Sequence, residues 1–212
     1  MIGNNNERTH FEWVKKTLLS IPRGLRILDA GAGQMQFKQF CRHLNYVAQD
    51  FAQYNGEGDG VGRQNGKWEY PELDIVCDIL NIPEPDKSFD VILFSNTLEH
   101  VPDAIGTLKE LDRLLRVGGT MIVTAPFCCL THQSPYFFYT GFSNNFYNTW
   151  LPNYKLNIEY NGNYYEWLAQ ELHRINVREN FIYDLLEEKS KEDPFSYQVL
   201  CFGLMITAIK NE

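Results

Sequence analysis

Two histidines, His100 and His132, and three aspartates that follow apolar runs, Asp29, Asp50 and Asp78, are the side chains of this sequence best suited to chemistry. An imidazole titrates near neutral pH and can take a proton from a reacting hydroxyl. His132 lies in "APFCCLTHQSPYFFYTGF", directly after an apolar run, and His100 closes "SNTLEH" after another. His132 is the first choice for a catalytic base and His100 the second; the alternative for His132 is a hydrogen bond within its loop. His10, His43 and His173 fall on apparent helices and receive no role. Asp29 opens "DAGAGQ", residues 29–34, where Gly31 and Gly33 let backbone approach a ligand closely. A full dinucleotide fingerprint would want a third glycine at position 36, and Gln36 stands there. Asp50, followed by Phe51, could accept from both hydroxyls of a ribose. Asp78 could accept from an adenine amino group while the backbone of Ile79 reads the ring. Each acid also has a plain alternative, Asp50 as a turn residue and Asp78 as a helix cap.

The elements that must hold these groups follow from the apolar pattern. Residues 25–28, 46–49, 73–77, 90–94 and 120–125 are short apolar runs without strict alternation, the signature of parallel strands buried on both faces. A leading helix is expected over 10–20. Phe37, Phe40, Cys41 and Leu44 lie at i, i+3, i+4, i+7, and Ile105, Leu108, Leu111 and Leu115 repeat at helical spacing until "GGT" after Val117. Strand and helix alternate, so the class is α/β, doubly wound. The turn after the first strand would feed a helix N-terminus, which favours an anionic ligand group.

Residues 55–66, "NGEGDGVGRQNG", carry five glycines in twelve positions and read as a mobile surface insertion. Residues 136–167 hold 13 of the 30 aromatics, so the region 127–167 is expected to form an acceptor pocket and lid, or a dimer contact. A strand at 155–160, a helix with Tyr165, Leu168, Leu172 and Ile175 on one face, a charged helix at 181–191 and an apolar strand at 199–209 complete one domain over residues 1–212.

Composition removes several classes of partner. A net charge of −8 with no basic run argues against nucleic acid and anionic membrane surfaces. No stretch approaches the ~20 apolar residues of a membrane span, and the start lacks a signal-peptide core. Five cysteines without a C-x-x-C pair suit reduced thiols in a cytoplasmic protein.

In this order and spacing, residues 25–126 resemble the small-molecule branch of the class I S-adenosylmethionine-dependent methyltransferases. The resemblance implies a Rossmann-like, seven-stranded sheet, mostly parallel, whose last strand inserts antiparallel, which suits 199–209. It implies S-adenosyl-L-methionine as cofactor and S-adenosyl-L-homocysteine as product. Asp29, Gly31, Ala32, Gly33 and Gln34 would cradle the methionine part, Asp50 and Phe51 the ribose side, and Asp78 with Ile79 the adenine. Ser95 and Asn96 would face the methionine and the acceptor. Many members have a glycine where Met35 stands. A nicotinamide reductase shares the first motif and Asp50 but leaves Asp78, "LEHVPD" and the final strand unexplained.

A resident metal is not expected. In a few related branches a Glu-x-x-Glu-His segment plus a later histidine holds a divalent ion; Asn96 replaces the first Glu here, leaving Glu99, His100 and His132 as the alternative ligand set. The aromatic tail resembles a subset found in glycan and natural-product pathways. The expectation is therefore O-methylation of a sugar or sugar nucleotide, with Tyr136 and Tyr139 lining the acceptor pocket. N-methylation of an amino sugar or small amine, and a non-catalytic cofactor-binding partner subunit, are the alternatives; a homodimer is compatible with all three.

Overall fold

The structure is a computed structural model and describes residues 2–211. Its apolar runs assemble into one seven-stranded sheet with the order β3-β2-β1-β4-β5-β7-β6. The strands are β1 (Arg26–Ala30), β2 (Asn45–Asp50), β3 (Ile75–Val76), β4 (Phe89–Ser95), β5 (Leu115–Pro126), β6 (Tyr154–Asn161) and β7 (Gly203–Lys210). β7 pairs antiparallel with both neighbours, in register from Thr120↔Ile209 to Pro126↔Gly203 on the β5 side, while β1 to β5 run parallel. The expected Rossmann-like sheet with its antiparallel last strand is the one found. Strand order reverses between β1 and β4, and ligand crevices in such sheets form at the carboxyl ends beside that switch point.

Both faces are covered, as unbroken apolar strands require. α1 (Asn6–Ser20) puts Val14 and Leu18 against Ile27, Leu93 and Ile122 on one face. α2 (Ala104–Leu114) puts Leu108 and Leu111 against Leu28, Ile92 and Phe94 on the other. Asp103 caps α2 by accepting from the Gly106 amide at 2.8 Å. The helix ends at Leu114 and the chain enters β5 without a loop; the glycines expected to stop it instead lie at a register shift between Phe89 and Val91 of β4. α3 (Asn144–Trp150), α4 (Tyr164–Arg174) and α5 (Asn180–Glu192) follow.

Three sequence expectations are corrected here. The crossover after β1 is a single 3-10 turn, Lys38–Phe40, not an α-helix. Met35 takes a left-handed backbone (φ 54°), which interrupts helical propagation, and the apolar i, i+3, i+4, i+7 set is satisfied in that compact turn under α1. No long helix therefore presents its N-terminus to the glycine turn. Secondly, the glycine-rich segment 55–66 is tied down. The Arg63 amide donates to the Thr131 carbonyl (3.0 Å), the Gln133 amide donates to the Arg63 carbonyl (2.8 Å), and the Ser134 hydroxyl donates to Asp59 (2.8 Å). Gly58 and Gly62 have positive φ, and a Cβ on either would collide with the carbonyl of Ser134 or Thr131. Its glycines thus permit close docking onto the loop after β5. Thirdly, the aromatic region divides. Phe142, Tyr147 and Tyr154 are buried in the sheet core, and only the part up to about residue 141 remains available as a loop over the strand ends.

The candidate active site

A cavity of about 1480 Å³ opens at the carboxyl ends of β1, β2, β4 and β5. Its inner end is built on the turn after β1. Gly31 (φ 68°) and Gly33 (φ 52°) are both left-handed; a Cβ at Gly31 would run into the Thr97 side chain, and one at Gly33 would lie 3.0 Å from Trp68 Cζ2. The turn is locked to β2. The Gly33 amide donates to Asp50 Oδ2 (2.8 Å), the Ala52 amide to Asp50 Oδ1 (2.9 Å) and the Ala32 amide to the Gln49 carbonyl (2.9 Å). Met35 occupies, in a left-handed conformation, the position where a glycine is common in the family it resembles.

Two buried carboxyls stand at this end. Asp29 is 4% exposed and accepts from the Tyr46 hydroxyl at 2.5 Å. Burial pushes it up to about 7, against the Tyr46 bond and with a further upward push from Asp50. Asp50 is raised by burial and held back by amide donors. Asp29, Gly31, Ala32, Gly33, Gln34, Asp50 and Phe51 all line the cavity.

The middle of the cavity is formed by the ends of β4 and β5. Ser95 and Asn96 line it as expected, with Asn96 at φ 48°. The Ser95 and Thr124 hydroxyls are 3.0 Å apart, and His10 Nε2 reaches both, at 3.2 Å and 2.9 Å. Burial lowers the His10 imidazole to about 4, so it stands neutral in this network. His10 received no role from sequence. The available signal was its spacing with Val14 and Leu18 (i, i+4, i+8), which places a polar ring on the buried face of α1.

The outer end brings His100 and His132 together from different loops. Their rings are 4.8 Å apart and nearly perpendicular (84°). His100 Nδ1 contacts the Tyr136 carbonyl at 2.6 Å and His132 Nδ1 the Leu130 carbonyl at 2.9 Å. A carbonyl only accepts, so each Nδ1 carries the hydrogen and each Nε2 keeps its lone pair. Burial, then the neighbouring His132, lowers His100 to about 4, against the Tyr136 bond. His132 is lowered by burial and by Arg174 and Arg63, with the Leu130 bond opposing. Glu99 is 2% exposed, its Oε1 is 3.9 Å from His100 Nε2, and its Oε2 has no partner among the described residues. Burial pushes this carboxyl up to about 8. Ligand atoms of Glu99, His100 and His132 all lie within 4.8 Å of one another, so this trio has the donor types and spacing to hold a divalent ion.

Not every expected residue reaches the cavity. Tyr136 lines it, edge-on to Phe51 at 4.9 Å. Tyr139 does not; its hydroxyl donates to the Pro102 carbonyl (3.0 Å) and its ring packs on Phe142. Asp78 and Ile79 are also outside the lining. β3 is only two residues long, after which Asp78 turns outward to accept from the Leu80 amide (2.9 Å) and Ile79 enters the core. Tyr54, Trp68 and Tyr70 form the adjoining wall instead, edge to face at 5.6 and 6.4 Å.

Comparison with known proteins agrees with this architecture. A family model described as "Methyltransferase domain" matches residues 28–123. Demethylmenaquinone methyltransferase from Staphylococcus saprophyticus is 27% identical over 133 residues, covering 59% of this chain and 53% of that protein. The Bacillus licheniformis enzyme of the same name is 25% identical over 142 residues, covering 62% and 56%. The chain thus spans about half the length of these curated relatives. Among solved structures, a SAM-dependent methyltransferase from Archaeoglobus fulgidus superposes with a TM-score of 0.58 at 16% identity, covering 95% of this chain and 97% of that one. Haemonchus contortus phosphoethanolamine N-methyltransferase 2 in complex with S-adenosyl-L-methionine gives 0.57 at 16% identity, covering 97% and 53%. The matched segment runs from β1 into β5 and is similar to a methyltransferase domain, and the antiparallel β7 completes the same fold as these methyltransferase structures.

Proposed function

We propose that the protein methylates a hydroxyl of a small polar acceptor, a sugar or sugar nucleotide, with His132 as the base. One observation carries this reading: a single cavity joins the glycine turn and Asp50 at one end to two neutral imidazoles with free Nε2 lone pairs at the other. The cofactor fits the inner end on the chemistry present. Gly31 and Gly33 expose backbone without side chains to the cavity, and Asp50 can accept further from ribose hydroxyls through its second lone pairs. When bound, S-adenosylmethionine supplies an electrophilic methyl group on a sulfonium. What remains for the chain is alignment and, for a hydroxyl, removal of a proton. Ser95, Thr124 and His10 form a fixed hydrogen-bonded cluster midway, positioned to orient the two reactants. The lowered His132 imidazole is unprotonated at neutral pH and so can accept a proton.

The curated relatives are named for a quinone substrate. Beside Leu130, Ile175 and Phe202, the cavity wall carries His100, Thr131, His132, Gln133, Gln170 and Arg174, whose polar groups favour an acceptor that can hydrogen-bond them. The test is to incubate the protein with S-adenosylmethionine and separate panels of sugar nucleotides, free sugars, amino sugars and hydroquinones, and to search for a one-methyl mass gain. Gain on an oxygen of a sugar-type acceptor is expected. Gain confined to nitrogen, or to a quinol, overturns the acceptor assignment.

A second reading is favoured by the partnerless Glu99 Oε2 beside two imidazoles whose Nδ1 atoms are already held by carbonyls, the usual outer-shell arrangement of metal-bound histidine. If Glu99, His100 and His132 hold a divalent ion, added Mn²⁺ should raise the melting temperature of the wild-type protein but not of Glu99→Gln, and a chelator should abolish turnover. Melting and turnover indifferent to Mn²⁺ and chelator remove this reading and leave His132 free to act as base.

A further inference from the structure

We propose that Arg63 and Arg174, with Arg8 at the rim, form a phosphoryl-binding site beside His132, so that the acceptor carries a phosphate or diphosphate group. The inference rests on the acceptor occupying the His132 end of the cavity. Three arginines from three separate elements, α1, the 55–66 insertion and α4, line one cavity of a chain whose net charge is −8. Arg63 is held there by its backbone. Its amide and carbonyl bond Thr131 and Gln133, which makes it the bridge partner of His132. Arg63 has no ion-pair partner among the described residues. Arg174 closes α4 and is oriented by Glu171, which accepts from its Nη1 at 2.5 Å. The two arginines also share the wall of an adjoining pocket of about 290 Å³ with Asn6 and Gln170.

Glu171 offsets part of the Arg174 charge, and no acid pairs with Arg63 or Arg8 among the described residues. Asp29 and Glu99 are buried, Asp50 is engaged by amides at the far end, and Glu7 is the exposed acid at the rim. The guanidinium groups of Arg63 and Arg8, unpaired among the described residues, beside an Arg174 whose charge is only partly taken up by Glu171, favour an anionic ligand in this cavity. Guanidinium forks match the oxygens of a phosphoryl group, and two forks from different elements can grip its separate oxygens, whereas a carboxylate is satisfied by one. The site would hold the acceptor by a group that does not react and leave its hydroxyl at His132. Binding energy from such a remote group supports alignment at the reacting atom.

The experiment is calorimetric titration of inorganic pyrophosphate into protein saturated with S-adenosylhomocysteine, with malonate as a carboxylate comparison. Wild type should bind pyrophosphate more tightly than malonate, and the affinity should fall as salt rises. The Arg63→Gln/Arg174→Gln double variant should lose roughly 10- to 100-fold in pyrophosphate affinity while keeping its melting temperature and its affinity for S-adenosylhomocysteine. Both side chains are exposed, so the fold is not expected to suffer. Unchanged pyrophosphate affinity in the double variant, or malonate bound as tightly as pyrophosphate, overturns the phosphoryl site while leaving the methyltransferase reading intact. Failure of the wild-type protein to bind S-adenosylhomocysteine strikes that reading instead, and pyrophosphate titrated without it then judges the arginine site alone.

Discussion

Asp50→Ala is expected to weaken binding of S-adenosylhomocysteine by roughly 2–4 kcal/mol, the size of two lost charge-assisted hydrogen bonds. The carboxylate is 5% exposed and does two things at once. It accepts from the Gly33 and Ala52 amides and so fixes the turn after β1 against the chain leaving β2. Its remaining lone pairs face the cavity, where the two ribose hydroxyls would donate. Alanine removes both, so ligand-free stability has to be followed beside affinity. Asp50→Asn separates the effects. Its single carbonyl oxygen can keep one amide donor, but its NH₂ must face the other, so part of the turn survives while the ribose loses an acceptor. The measurement is calorimetric affinity together with the melting shift that a saturating ligand produces. The expected result is a well-folded Asp50→Asn protein with strongly reduced affinity. Full affinity in either variant would put the ribose elsewhere and undo the assignment of the inner cavity.

What the sequence could reveal was the part governed by local pattern. Buried parallel strands need apolar runs, so β1, β4 and β5 were readable, as was the glycine turn that must follow β1. The long apolar run at 199–209 resolved into β7 only from Gly203, because Ser196–Gln198 forms a 3-10 turn before it. Patterns that two structures satisfy equally do not decide between them. The spacing of Phe37, Phe40, Cys41 and Leu44 fits an α-helix, yet a 3-10 turn buries the same side chains once Met35 has broken the helical path. Glycine content in 55–66 looked like flexibility; it reflects close approach to the Ser134 and Thr131 carbonyls, which no composition rule distinguishes. Asp78 shares its strand-end position with Asp50, but a strand of two residues does not carry it to the cavity. His10 joins Ser95 across 85 positions and Thr124 across 114, a contact that only the packing of α1 over the strand ends creates.

His132→Ala is expected to lower kcat by roughly 10²–10⁴ if the imidazole removes the acceptor proton. Three features of its surroundings favour that role. The Leu130 carbonyl fixes the tautomer with the hydrogen on Nδ1 and leaves Nε2 free. Phe137 packs at 4.9 Å and His100 at 4.8 Å, so the ring is held. Burial together with the charges of Arg174 and Arg63 keeps it unprotonated. A base works in its unprotonated form, so activity should be lost as the pH falls through its pKa. Because that value is depressed, the acid limb of the kcat/KM profile should lie below 6.5, the ordinary value for imidazole. Adding Arg63→Gln and Arg174→Gln should move the limb upward, since two positive neighbours are then gone. His132→Gln retains a hydrogen-bonding group but cannot take a proton, so it should recover little of the rate, and affinity for S-adenosylhomocysteine should be unchanged in both single variants. If glutamine restores most of the rate, orientation of the acceptor is the whole contribution of this side chain. If alanine is itself harmless, proton removal belongs elsewhere, and His100, whose free Nε2 faces Glu99 across 3.9 Å, becomes the group to replace.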